Sequence, residues 1–209
     1  MSTFTDTVIR DSQATFLSSG CFLDALISGQ LDPTVWSSFV LPQHALSIPD
    51  VEVQCRIAQR LLLVLDCDSI LEPNASHPEE ARPTPALLLL LSQLAQAPGV
   101  EVVAVSSRPL AELRSLLPVS NIIYLGTLSV PKEKALHSLL PLSDTAAFPV
   151  YLGDAATAED VFHTANICGL TILIADPPGR TATRYYLQNP TQVYGFLARV
   201  LSLRQNRSE

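Results

Sequence analysis

Charge is scarce in this chain. Asp, Glu, Lys and Arg make up 16% of its 209 residues. A surface this sparse in charge implies a covered face or an oligomer contact. The charge that is present runs acidic, 20 acidic residues against 13 basic, for a net of −7. That balance argues against nucleic acid or an anionic membrane as the main partner. Cysteines are few, and Cys21, Cys55, Cys67 and Cys168 show no close-paired spacing. Nothing suggests a disulfide framework or a zinc site, and reduced thiols in a cytoplasmic protein are the expectation. Leu87 to Leu91 is far too short to span a bilayer. The start, Met-Ser-Thr-Phe-Thr-Asp, lacks the basic residues and apolar core of a signal peptide.

What the chain has in quantity is apolar residues, 47% of the total. That is ample for one α/β domain and short for two. Residues 1–57 read as an N-terminal helical extension packed on the main domain. Val8, Phe16, Phe22, Leu23, Leu26 and Ile27 suggest short amphipathic helices there, Asp32-Pro33 a helix start, and Leu41-Pro42 and Ile48-Pro49-Asp50 breaks. Residues 58–209 read as an α/β core in which strands and helices alternate. Strands are expected at 61–66, 100–106, 121–125, 149–153 and 170–175, each short and apolar with little alternation, as in strands buried on both faces. Helices are expected at about 84–97, 109–117, 132–140, 157–168 and 191–204. The fold class is therefore α/β: a Rossmann-like parallel sheet flanked by helices.

Such sheets gather functional residues at the carboxyl ends of their strands. The first strand ends in Asp66-Cys67-Asp68. Two carboxylates at the edge of a core repel each other and lose hydration. A solvated Asx-type turn relieves that cost, and so does a hard cation such as Mg²⁺. The second strand ends in Ser106-Ser107-Arg108 and the fourth in Gly153-Asp154, while Lys132 opens the helix before the fourth. Singly, Ser106 and Asp154 read as helix caps and Lys132 as a surface lysine. Together they place three carboxylates, a hydroxyl and a lysine on one rim. His44 and His77 lie in loop-like stretches and read as solvated. Cys67 points away from the two aspartates and reads as a core residue.

In this order the residues resemble the haloacid-dehalogenase-type phosphatases, and among them the trehalose-6-phosphate phosphatases. Asp66-Cys67-Asp68-Ser69-Ile70-Leu71-Glu72-Pro73 is similar to that family's Asp-Tyr-Asp-Gly-Thr-Leu-x-Pro. Val105-Ser106-Ser107-Arg108-Pro109 resembles its Ser-Gly-Arg motif, and Val130-Pro131-Lys132-Glu133-Lys134 its lysine motif. Tyr151-Leu152-Gly153-Asp154-Ala155-Ala156-Thr157-Ala158-Glu159-Asp160 resembles its Gly-Asp-Asp-x-Thr-Asp-Glu motif. The likeness runs over roughly residues 60–204. It implies Asp66 as nucleophile, Asp68 as general acid and then base, and Ser106 and Lys132 on the phosphate oxygens. It also implies Mg²⁺ held by the Asp66 side chain, the Asp68 carbonyl and the Asp154 side chain.

Three departures stand out. Ser69-Ile70 replaces Gly-Thr, and the glycine allows a tight turn. Ala155 and Ala158 replace aspartates. Between the helix at 109–117 and Lys132 there is room for the strand at Asn121–Tyr124 and not for the family's cap domain. The resemblance thus predicts an Mg²⁺-dependent phosphatase of a phosphate monoester or diphosphate other than trehalose 6-phosphate. Its cleft would be open to a larger phosphorylated molecule, or covered by a partner protein or a second copy. The competing reading is a repurposed or non-catalytic relative: a regulatory subunit, or a cleft recruited for other chemistry on a hydrophobic small molecule.

Overall fold

The computed structural model describes residues 40–71, 82–126, 147–154, 169–179 and 181–208. The expectations for the helices at 132–140 and 157–168, for Lys132 and for the chain before residue 40 fall outside these ranges.

Seven parallel strands form one sheet. They are β1 (Gln43–His44), β2 (Arg60–Asp66), β3 (Val100–Ser106), β4 (Ile122–Gly126), β5 (Ala147–Gly153), β6 (Leu170–Ile174) and β7 (Tyr185–Leu187). Their order across the sheet is β1-β7-β6-β5-β2-β3-β4. The five expected strands are all present. β2 shows why so apolar a run makes a central strand. Leu61, Leu63 and Leu65 face one core layer, with Val102, Leu152 and Ile172. Leu62 and Val64 face the other, with Val103, Val105, Tyr151 and Leu173. Side chains alternate across a strand, so a strand covered on both faces must be apolar at every position. Each fully buried Leu contributes about 1.5–3 kcal/mol relative to exposure.

Described helices are α1 (Pro49–Ile57), α2 (Cys67–Ile70), α3 (Pro85–Leu94), α4 (Leu110–Leu116) and α5 (Pro190–Gln205). Thr84 caps α3 by accepting from the Leu87 N–H at 3.1 Å, and Pro85 takes the first helical position. Leu87, Leu91 and Leu94 then form its buried stripe. α5 begins the same way, with Asn189 as cap and Pro190 after it. It buries Val193, Phe196, Leu197, Val200 and Leu201 in the larger core. Among the described residues, no helix is long and apolar enough to cross a membrane.

Residues 40–57, the described part of the helical extension expected for 1–57, hold a strand as well as helix α1. β1 pairs with β7 at the sheet edge, Gln43 opposite Tyr185 and His44 opposite Tyr186. Val40 bridges Thr181 in antiparallel fashion. Pro49 starts α1 rather than breaking the chain, since a helix's first residue needs no N–H. Val51 and Cys55 of α1 are fully buried in the same core as β2. His44 is not solvated as expected. Its Nε2 lies 2.8 Å from Gln192 Oε1, and its ring stands edge-on to Tyr186.

The strand order fixes where a site can form. From β2 the chain moves to β3 and β4 on one side, then returns to β5 on the other side of β2. The connections diverge at this point and leave a crevice beyond the carboxyl ends of β2 and its neighbours.

Candidate active site

Asp66 is the last residue of β2, and it is fully buried. Its side chain caps the single turn of α2, with Oδ1 3.2 Å from the Asp68 N–H. The Asx-type turn and the carboxylate pair are thus one feature: the turn fixes where Asp68 begins. Cys67 between them is fully buried in the larger core, as its alternation predicted.

Asp68 reaches across to the end of β3. Ser106 Oγ donates to the carboxylate, 3.0 Å from each oxygen. The Ser107 N–H and Oγ both donate to Oδ2 at 3.1 Å. Arg108 Nε donates to Oδ1 at 3.2 Å. The register makes this reach short, because β2 and β3 pair with Asp66 opposite Val105, one residue before Ser106. Ser106 is fully buried, and its hydroxyl accepts from the Arg108 N–H at 3.1 Å. It does not cap α4; Pro109 holds that position without a side-chain bond. Gly126 makes the arrangement fit. It pairs with Ser106 at the end of β4, and a Cβ there would lie 2.5 Å from the Leu110 nitrogen and 2.8 Å from the Arg108 carbonyl oxygen.

Arg108 carries a second contact, from Nη1 to Glu112 Oε1 at 2.7 Å, four residues along α4. Burial alone pulls the guanidinium's affinity for its proton down. The hydrogen bonds to Glu112 and Asp68 more than offset that and leave it above the ordinary arginine value.

Asp154 follows β5, the other neighbour of β2, one residue past Gly153. Leu65 pairs with Leu152, so Asp66 and Asp154 lie beyond the same register pair at the same end of the sheet. Ser69 Oγ donates to Asp154 Oδ2 at 3.1 Å. Four of the five expected residues, Asp66, Asp68, Ser106 and Asp154, therefore stand on three adjacent strand ends or the turn beside them. Lys132 lies outside the described residues.

The donors suit a hard cation in kind: carboxylates at two neighbouring strand ends and a main-chain carbonyl at Asp68. Among the described residues, no three His, Cys, Asp or Glu side chains form a group that could hold a metal ion. The Asp68 carboxylate faces the end of β3, and the donor expected of Asp68 is its main-chain oxygen. The sequence also undersold three residues. Ser69, Ser107 and Arg108 were visible only as letters within motifs, two of them serines at glycine positions. Each puts a donor on one of the carboxylates.

No family model matches the chain. The Probable trehalose-phosphate phosphatase H of Arabidopsis thaliana is 40% identical over 83 residues, 37% of this chain and 24% of that protein. Probable trehalose-phosphate phosphatase 4 of Oryza sativa subsp. japonica is 39% identical over 83 residues, 37% of this chain and 23% of that protein. The match thus spans about a quarter of the length of these curated relatives. Among solved structures, the C-terminal domain of the C. albicans trehalose-6-phosphate phosphatase aligns with a TM-score of 0.61 at 13% identity, covering 79% of this chain and 99% of that one. The 3-deoxy-D-manno-octulosonate 8-phosphate phosphatase of Moraxella catarrhalis, solved with magnesium, phosphate and KDO, aligns at 0.55 and 17%, covering 77% and 95%. At such identities these structures speak for the fold, and the sequence matches for a likeness over 83 residues. Over 83 residues the chain is thus similar in sequence to trehalose-phosphate phosphatases, and it shares its fold with the solved trehalose-6-phosphate and 3-deoxy-D-manno-octulosonate 8-phosphate phosphatases.

Proposed function

We propose that the chain is a phosphatase of a phosphate monoester or diphosphate, working through an aspartyl-phosphate on Asp66. The observation that carries this reading is the convergence of Asp66, Asp68, Ser106 and Asp154 at the switch point of the sheet. The buried Asp66 carboxylate attacks phosphorus, and the bond to the leaving oxygen breaks. Asp68 gives that oxygen a proton, then takes one from the water that attacks the aspartyl-phosphate. Ser106, with Lys132 from the next connection, holds the phosphate oxygens and offsets the charge that builds on them. The Asp66 and Asp154 side chains and the Asp68 carbonyl would hold Mg²⁺, which would supply neutralising charge for the approach of one anion to another.

The substrate on this reading is not trehalose 6-phosphate. Only Leu117–Asn121 separates α4 from β4, and the twenty or so residues before β5 are too few for a cap domain on the usual scale of ~50 residues or more. A cap shields the reaction from water and completes a small-molecule site. Without it the cleft accepts a larger phosphorylated molecule, or a partner protein that covers it.

A second reading has one specific observation in its favour. Asp68 already holds donors from three consecutive residues, Ser106, Ser107 and Arg108. A carboxylate so fully engaged suits a non-catalytic relative. The deciding experiment is phosphate release from an aryl phosphate and a panel of sugar and prenyl phosphates, with and without Mg²⁺, for wild type and Asp66→Asn. We expect Mg²⁺-dependent turnover that falls at least about a thousandfold in Asp66→Asn, as loss of a nucleophile does. Folded wild type that turns over nothing on the panel rules this reading out.

A further inference from the structure

We propose that Arg108 and Ser106 serve two anions in turn: Asp68 in the resting protein, and the phosphate of a bound substrate. Phosphate binding would draw Arg108 off Asp68 and so release that carboxylate for proton transfer. The inference rests on the phosphatase reading of this site. It adds to it a phosphate-contacting arginine and a position of Asp68 that depends on the substrate.

An ionised carboxylate offers about four lone-pair sites. Asp68 receives the Ser106 hydroxyl, shared between its oxygens, the Ser107 N–H, the Ser107 hydroxyl and Arg108 Nε. In this arrangement it acts as an acceptor only. It has nothing to give a leaving alcohol until some of those donors depart and it takes up a proton, from water or from the P–OH of a monoanionic phosphate ester.

Two of them have reason to depart. A phosphate brought within reach of Asp66 also comes within reach of Ser106, since Asp66 and Ser106 end neighbouring strands one residue out of register. A guanidinium pairs with phosphate at least as well as with carboxylate, and phosphate carries the greater charge. Arg108 also has the anchor such an exchange needs. Glu112 holds its Nη1 from the next turn of α4, so Nε can leave Asp68 while the guanidinium stays at the rim. The exchange is accessible: the Asp68 side chain is 26% exposed and the Arg108 side chain 11%. Ser107 keeps both of its donors on Oδ2 and retains Asp68 near the site after Arg108 and Ser106 have gone over to the phosphate.

The test is calorimetric titration of the full chain with inorganic phosphate, for wild type, Asp68→Asn, Arg108→Gln and the double variant. Asp68→Asn removes the competing anion, and its affinity for phosphate should rise about tenfold. Adding Arg108→Gln to Asp68→Asn should lower that affinity by about ten- to a hundredfold, the size of a charge-assisted hydrogen bond. Arg108→Lys in the same background should recover part of the loss. Its thermal melt checks that the site still folds. If Arg108 were merely the counter-ion of Asp68, Arg108→Gln would leave the affinity of Asp68→Asn unchanged, and that result overturns the proposal. So does the absence of phosphate binding in both wild type and Asp68→Asn. Failure of the phosphatase reading is seen separately, as folded wild type that shows Arg108-dependent phosphate binding and no turnover.

Discussion

The two ends of the sheet each bury a charged group, and they do so to opposite effect. At the amino end, Arg204 of α5 is 1% exposed, the largest fully buried side chain of the described residues. Its Nη1 donates to the carbonyls of Cys55 and Ala58 at 3.3 and 2.6 Å, and its Nη2 to those of Gln59 and Gly99, both at 3.0 Å. These oxygens belong to the end of α1, the entry to β2 and the entry to β3. One guanidinium thus satisfies backbone acceptors of three elements. Burial, with Arg207 nearby, lowers its affinity for the proton, but an arginine stays charged through shifts of this kind. At the carboxyl end the charges are negative, Asp66 fully buried and Asp68 and Asp154 partly so, and side chains rather than backbone supply most of the donors described for the three together. Main-chain partners are fixed by the fold. Side-chain donors can be handed to another anion. The first arrangement holds a structure together, and the second leaves something to exchange.

The largest effect expected from this contrast is on stability. Arg204→Met keeps the stem's volume and strips four carbonyls of a charged donor. We expect a loss of about 3–5 kcal/mol, as when one partner of a buried charged network is removed. Denaturant unfolding measures it. Phosphate binding per folded molecule should be unchanged, because the rim that binds it lies at the other end of β2. A loss below about 1 kcal/mol would erase the distinction between the two ends.

Gly99 sharpens the same point with a smaller expected effect. It has φ 66°, and a Cβ there would lie 2.6 Å from the Gln59 carbonyl oxygen and 2.7 Å from Arg204 Nη2. Gly99→Ala should cost about 1–3 kcal/mol through left-handed strain and the displaced guanidinium. In the Arg204→Met background the cost should fall by the share due to the displaced guanidinium, leaving the left-handed strain and the contact with the Gln59 carbonyl. Full additivity of the two changes would mean that Gly99 does not serve Arg204. The same end of the sheet also silences a thiol. Burial pushes Cys55 up to about 12, so it stays protonated while folded.

How far this molecule could be read from its letters follows from the same physics. The five central strands were legible because burial on both faces demands apolar residues at every position. β1 and β7 were not, because an edge pair such as Gln43-His44 against Tyr185-Tyr186 carries no such demand. Pro49 looked like a break because the proline rule has two opposite uses, and only the register of the following helix separates them. The carboxyl rim was legible in outline, since Asp66, Asp68, Ser106 and Asp154 end consecutive runs that any parallel sheet brings to one side. Its internal wiring was not. That Ser106, Ser107 and Arg108 all turn toward Asp68 depends on a loop packed against Gly126 on a different strand. Arg204 was the least legible of all, an arginine near the end of a terminal helix that nothing local marks as buried.

The smallest expected effect is the most telling about the carboxyl rim. Asp68 accepts more hydrogen bonds than any other carboxylate described above, so a count of contacts would rank Asp68→Asn among the severe changes. The exposure of its side chain, 26%, argues otherwise. Partly solvated ion pairs are screened and contribute about 0–1 kcal/mol. Arg108 also keeps Glu112 as a partner after the change, and the amide oxygen of Asn still accepts from Ser106 or Ser107. We expect Asp68→Asn to alter stability by no more than about 1 kcal/mol, measured by the same denaturant unfolding as Arg204→Met, while it removes proton transfer and strengthens phosphate binding. A loss comparable to that of Arg204→Met would make Asp68 a second structural staple and leave the two ends of the sheet alike. A small loss means that its many donors serve the exchange of anions rather than the fold.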